Sequence, residues 1–260
     1  MRLIKLKGDA EYFFDLLAGM TEKELKVRYK NTFFGFLWVV INPLLQMLVI
    51  GFIFPLFIKE PVDNYYFYLF SGLLVWNFFS LSLTKTTPSI VNERSLIKKA
   101  KFPHIVIPLS IILSNGVNLL VALLLLMLPS ASFGLLSFSN LPVLLFALVL
   151  LFSLTSGLSL FLSALDVRYR DMAFFIQAIL IIWFYATPIV YTIFVVPYDL
   201  IWLWRLNPMT AIVQLFQSVF ANAPPPGIGM ILINSAIIIL ISFLGIIVFQ
   251  KENKYFDDWL

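Results

Sequence analysis

The chain's single histidine, His104, and two aspartates, Asp166 and Asp171, are the tempting groups for proton chemistry near a membrane surface. A membrane-embedded glycosyl or acyl transferase would need such groups as general acid and base. Here they form no recognisable constellation. No glycine is followed by lysine, so the chain has no phosphate-binding P-loop. Gly227 and Gly229 lack the third glycine of a dinucleotide fingerprint. One histidine and no cysteine exclude His-rich and thiolate metal centres. No carboxylate lies within any predicted membrane span, so the groups that proton- or sodium-driven carriers usually need are missing. The residue types suit a passive conduit powered from outside the chain.

The elements that position these residues follow from composition. Of 260 residues, 61% are hydrophobic, 17% aromatic and only 12% charged. A soluble domain carries about a quarter charged residues, so a soluble enzyme, a disordered regulator and a nucleic-acid binder are excluded. Long unbroken apolar runs such as 105–128 point to helices rather than the alternating pattern of a barrel. The expected fold is an all-α integral membrane protein, one transmembrane domain over 1–260. Six spans are expected, at about 33–57, 64–84, 105–128, 142–164, 172–191 and 228–250. The charge-free stretch 206–223 is too polar for a lipid-facing helix, with Asn207, Gln214 and Gln217, and reads as a partial or re-entrant helix shielded by protein or a wet cavity. Trp202, Trp204 and Arg205 read as interfacial anchors.

With six spans, 16 of the 18 Lys and Arg residues fall on one side, against Lys59 and Arg205 on the other. The positive-inside rule then places both termini in the cytoplasm. The charged first 32 residues have no apolar leader core, so no cleavable signal is expected and the first span directs insertion.

Three cytoplasmic segments carry further signals. In 9–19, Tyr12, Phe13, Leu16 and Leu17 share one helical face, Gly19 is a stop, and Thr21 with Glu24 forms a capping box for a second helix to about Lys30. This region reads either as an anchor on the lipid surface or as a wall against a peripheral subunit. In the basic loop 85–104, Ser89 or Asn92 caps a short helix carrying Ile90, Val91, Leu96 and Ile97. Those apolar residues suggest docking on another protein, and the alternative is a loop that only sets topology. Asp166–Asp171 alternates in sign and predicts ion pairs at a tight corner, either structural or a contact surface.

These segments, in this order, resemble the membrane subunit of ABC-2 type exporters, most closely the polysaccharide group exporting O-antigen, capsule or teichoic acid. The matching stretches run from Glu24 to Gly35, then Trp38 and Asn42-Pro43-Leu44, Glu93 to Lys99 with Phe102-Pro103 and Pro108-Leu109, Asp166 to Asp171, and Asn207-Pro208-Met209. The resemblance covers essentially the whole chain. It implies a homodimer in the bacterial inner membrane, with two separate ATP-binding subunits carrying ATP and Mg, and no cofactor in this chain. A coupling loop would comprise Asn92, Glu93, Arg94, Leu96, Ile97, Lys98 and Phe102, with Tyr12, Phe13 and Leu16 in the interface helix region 9–30, and 192–227 would form short re-entrant helices gating the periplasmic side. The cargo would be a lipid-linked glycan, commonly on a polyprenyl pyrophosphate. Aromatic faces suit sliding sugars, which makes Phe34, Trp38, Trp76, Trp183, Tyr185 and Tyr191, with Asn42, candidate channel residues. Lipid-facing packing is the alternative for each. Arg28 and Lys30 stand where a pyrophosphate headgroup meets the cytoplasmic leaflet, or simply flank the first span. A drug or small-lipid exporter of the same superfamily is the alternative function.

Overall fold

The computed structural model describes residues 2–30, 35–57 and 63–259. Every regular element among them is helical. The helices are α1 (Arg2–Tyr29), α2 (Trp38–Phe57), α3 (Tyr65–Thr86), α4 (Ser89–Asn92), α5 (Arg94–Lys99), α6 (Val106–Ser132), α7 (Leu141–Arg168), α8 (Met172–Tyr185), α9 (Ile201–Leu206), α10 (Pro208–Ala221), α11 (Ile228–Glu252) and α12 (Phe256–Trp259). Five of them, α2, α3, α6, α7 and α11, are long and apolar enough to cross a membrane.

The other expected span, 172–191, is helical for only 14 residues, about 21 Å at 1.5 Å per residue. Pro188 explains the break. It has no N–H to continue the ladder, and its ring disfavours the α conformation at Thr187. The expected pair of helices in 9–30 is one continuous α1. Gly19 inside it costs only about 1 kcal/mol relative to alanine, too little to outweigh the formers around it. Thr21 caps nothing: its Oγ1 donates back to Leu17 O at 2.7 Å.

α3 is the axis of the bundle. Leu69, Val75, Phe79 and Leu83 are fully buried, and the helix packs on α2, α6, α7 and α10. α2 and α11 lie outermost, with 11% and 17% of their apolar windows buried. α7 and α11 approach backbone to backbone. A Cβ on Gly157 would come within 2.6 Å of Ser242 Cα, and one on Gly245 would strike the Gly157 carbonyl. Ser242 Oγ donates to Ser153 O at 2.9 Å across the same contact. Ser153 and Gly157 thus form a small-xxx-small face, the usual means of close helix packing without a hydrophobic drive from lipid.

A second, smaller core lies at one end. It joins Met20 of α1, Ile90 and Ile97 of α4–α5, Val106 and Ile107 of α6, Ala164 and Val167 of α7, and Phe249 and Phe256. The first and last helices therefore meet at one end, called here the basic end.

Candidate functional site

At the basic end, Pro88 opens α4, and Glu93 sits at the elbow before α5. Lys23 of α1 pins that elbow through a 2.7 Å ion pair to Glu93. Ile97 is buried in the chain's own second core, and Leu96 and Phe102 are half-buried against it. These apolar residues, expected to dock elsewhere, point inward because α1, α6 and α7 converge there. The surface left outside is polar and basic: Asn92, Arg94, Ser95, Lys98 and Lys99 are exposed. On α1, Phe13 and Leu16 pack on the same core, while Tyr12 is 52% exposed. Tyr12 thus leaves the predicted shared face. On the outer side of α1, Lys26 pairs with Glu22 and holds its carboxyl below the usual range.

The three groups suited to proton chemistry are occupied or apart. His104 Nδ1 lies 2.8 Å from Asn253 Oδ1, and its ring stacks on Phe256. Asp166 Oδ1 accepts from Ala173 N at 3.2 Å, capping the first turn of α8. Asp171 is exposed. The predicted ion pairs of 166–171 are absent among the described residues. Arg168 instead lies 5.3 Å over the Tyr169 ring and 5.6 Å over that of Trp259.

Toward the bundle interior, α1 ends at a cavity of about 460 Å³ lined by Arg28, Trp38, Asn42, Asn77, Asn115 and Asn118 among others. Trp38 is 45% exposed, and Lys30 is exposed and does not line the cavity. A second cavity of about 400 Å³ continues along α3, sharing Asn77, Ser80 and Thr84 with the first and adding Gln46, Gln177 and Tyr185. Asn77 Nδ2 donates to Gln46 Oε1 at 3.0 Å. A polar stripe therefore runs from Arg28 at the end of α1, along α2, α3 and α6, to Tyr185, which is 60% exposed. Its spacing was readable: Asn77, Ser80 and Thr84 at i, i+3 and i+7 on α3, Asn42 and Gln46 at i and i+4 on α2, and Asn115 and Asn118 on α6. Sequence reasoning named Asn42, Trp38 and Tyr185 of this stripe and, favouring aromatics, missed its other amides.

Of the remaining described aromatic candidates, Trp76 alone touches the stripe. Trp76 is buried, its ring 5.5 Å from Phe184 and 5.7 Å from Phe79, with an edge on the second cavity. Trp183 and Tyr191 belong to a polar knot around 186–191, described next. Phe34 lies outside the described residues.

At the end opposite the basic one, residues 186–191 have no helical ladder, and side chains from other helices claim their carbonyls. Asn207 Nδ2 donates to Ala186 O at 3.0 Å, Gln217 Nε2 to Pro188 O at 3.1 Å, and Tyr65 OH to Val190 O at 3.0 Å. Tyr68 OH lies 2.9 Å from Tyr191 O. Asn207 Oδ1 accepts from Trp183 Nε1 at 2.8 Å and from Met209 N at 3.1 Å, the latter capping α10. Trp204 Nε1 donates to Tyr191 OH at 2.7 Å, and that hydroxyl donates to Tyr185 O at 2.6 Å. Irregular backbone inside a bundle is tolerated where protein satisfies it in this way.

The family model for ABC-2 type transporters matches residues 16–221. The chain belongs to the ABC-2 type transporter family. It is 30% identical over 260 residues to the O-antigen export system permease protein RfbA of Myxococcus xanthus, covering 98% of this chain and 99% of that one. It is 34% identical over 227 residues to a Klebsiella pneumoniae protein of the same name, covering 84% and 85% of the two chains. A further Klebsiella pneumoniae protein of that name is 33% identical over 248 residues. In this ABC-2 chain the matched stretch takes in the α4–α5 elbow, the polar stripe and the Asn207 knot.

Proposed function

We propose that this chain is the membrane-spanning permease of an ABC exporter moving a lipid-linked, O-antigen-like polysaccharide across the bacterial inner membrane. The observation that carries the reading is the continuous polar stripe from Arg28 to Tyr185 through otherwise apolar helices. The names of the relatives supply the cargo class. Amide and hydroxyl groups offer hydrogen bonds that a sugar chain exchanges as it slides. Apart from Arg28 at its basic end, the stripe carries no charge that would trap it.

In this reading α8 and residues 186–191 together make the sixth crossing, a short helix continued by a protein-satisfied extended segment. α9 and α10 form a re-entrant hairpin with Asn207-Pro208 at its tip. Both termini are cytoplasmic, at the basic end. The α4–α5 elbow, with Asn92, Glu93, Arg94 and Lys98 outward, is the surface received by a separate ATP-binding subunit that holds ATP and Mg. A second copy of the chain, packed against the exposed faces of α2 and α8, completes the pathway as a homodimer.

The test is genetic and biochemical. Cells lacking the chain should lose long surface glycan while the lipid-linked polymer accumulates inside. Wild type should restore export, and the double variant Gln46→Leu, Asn77→Leu should not, although it reaches the membrane. Intact surface glycan in the deletion strain would sink the reading in favour of a drug or small-lipid exporter.

A further inference from the structure

Arg28 ends α1 with a guanidinium whose Nε, Nη1 and Nη2 are all buried and have no hydrogen-bond partner among the described residues. Neither ion pair among those residues includes it. A buried unpaired charge is strongly unfavourable, and arginine does not escape by losing its proton. Two charged groups lie nearby: Lys85 repels it, and Glu24, one turn earlier on α1, makes no ion pair with it among the described residues. The five donors of the guanidinium therefore call for an acceptor from outside the chain. A guanidinium fork fits a phosphate oxygen pair best.

The α6 side chains lining the same cavity have the opposite need. Asn115 Oδ1 and Asn118 Oδ1 are buried acceptors with no partner. Asn115 Nδ2 is committed to Ser82 Oγ at 3.0 Å, which leaves its carbonyl as the free atom. An ionised phosphate brings acceptors only, so it satisfies Arg28 and leaves these two amides unserved. Sugar hydroxyl or acetamido N–H groups are donors that would serve them. The cavity, about 460 Å³, is of the size that holds a small ligand and has an aromatic wall in Trp38.

We infer that this cavity reads the junction between phosphate and first sugar in the lipid-linked cargo. Arg28 grips the phosphate, and Asn115 with Asn118 accepts hydrogen bonds from the sugar attached to it. The inference rests on the exporter reading and adds a selectivity rule: the chain recognises the carrier-proximal sugar, and the remainder of the polymer passes unread.

The test uses the full chain in detergent, without ATPase partner or transport, so its failure and that of the exporter reading are separable. Three probes are titrated against thermal unfolding: inorganic pyrophosphate, farnesyl pyrophosphate, and farnesyl pyrophosphate bearing one N-acetylhexosamine. The sugar-bearing probe should bind about tenfold tighter than the bare lipid pyrophosphate, as one or two added hydrogen bonds to buried acceptors imply. Arg28→Gln should weaken both lipid probes tenfold or more, and Arg28→Lys, which keeps charge without the fork, by less. Asn118→Leu should weaken the sugar-bearing probe alone, which covers the case in which the Arg28 variants do not fold. Unchanged binding in Arg28→Gln, or Asn118→Leu affecting neither lipid probe, overturns the assignment. Inorganic pyrophosphate binding as tightly as the sugar-bearing probe makes this a free-phosphate site and overturns it as well.

Discussion

Replacing Asn207 by alanine removes the centre of the knot that holds residues 186–191. The size of the loss can be worked from the bonds. The cap to Met209 N contributes about 1 kcal/mol to α10. The Trp183 indole N–H and the Ala186 carbonyl each lose a partner. A neutral hydrogen bond is worth about 1 kcal/mol net, nearer about 0.6 between helices in a membrane. Thr187 Oγ1, which accepts from Asn207 Nδ2 at 3.0 Å, loses little, because it keeps its own bond to Trp183 O at 2.8 Å. The expected destabilisation is therefore about 2–3 kcal/mol. Asn207→Ser, which keeps the capping oxygen but cannot reach as far, should fall at roughly half that. The assay is reversible unfolding in mixed micelles titrated with SDS, followed by tryptophan fluorescence. Trp183→Phe removes the indole donor and should cost about 1 kcal/mol alone. In combination with Asn207→Ala the two should be non-additive by about 0.5 kcal/mol or more, since they delete one shared bond. An Asn207→Ala cost below about 0.5 kcal/mol, or strict additivity with Trp183→Phe, would refute the claim that side-chain capture holds this segment.

Three further outcomes are expected. Lys23→Glu or Glu93→Lys alone should loosen the α1–elbow contact and reduce recovery of an ATPase subunit in pull-downs, with the double swap restoring it; stability should change by only about 0.2–1 kcal/mol, as the pair is partly exposed. Gly245→Ala should force α11 off α7 and cost about 1–3 kcal/mol, measured by the same SDS titration, whereas alanine at Gly229, which meets nothing within 4 Å, should be silent. Trp38→Ala and Tyr185→Ala should each reduce export of surface glycan, scored by gel of extracted polysaccharide, while the protein still assembles in the membrane; unchanged export in both removes them from the pathway.

Much of this architecture is legible in the chain itself because lipid makes hydropathy nearly sufficient. The spans at α2, α3, α6, α7 and α11 follow from runs without charge, and polar content marks the buried helix that starts at Asn207-Pro208. What was not legible depends on partners distant in sequence. The span at 172–191 reads as apolar to its end, yet Pro188 stops the helix and donors from Tyr65, Tyr68, Asn207 and Gln217 make the break tolerable. The direction of Ile90 and Ile97 was misread because local pattern does not tell an outward apolar face from one covered by α1 and α7. The amide stripe was present in the spacing of Asn77, Ser80 and Thr84. Averaged hydropathy hides a few amides among many leucines and phenylalanines, and the unpaired state of Arg28 is visible only in three dimensions.

The capture of residues 186–191 also dictates an order of events during synthesis. Tyr65 and Tyr68 precede the segment in the chain, but Asn207 and Gln217 follow it. When α8 leaves the ribosome, half the donors its carbonyls need do not yet exist. Lipid offers none in their place. The segment therefore waits in a protected setting, at the translocon or against the earlier helices, until α10 arrives, and the two lock in together. Nascent chains truncated between 192 and 217 should remain extractable or be degraded, whereas chains extended past α10 should be retained.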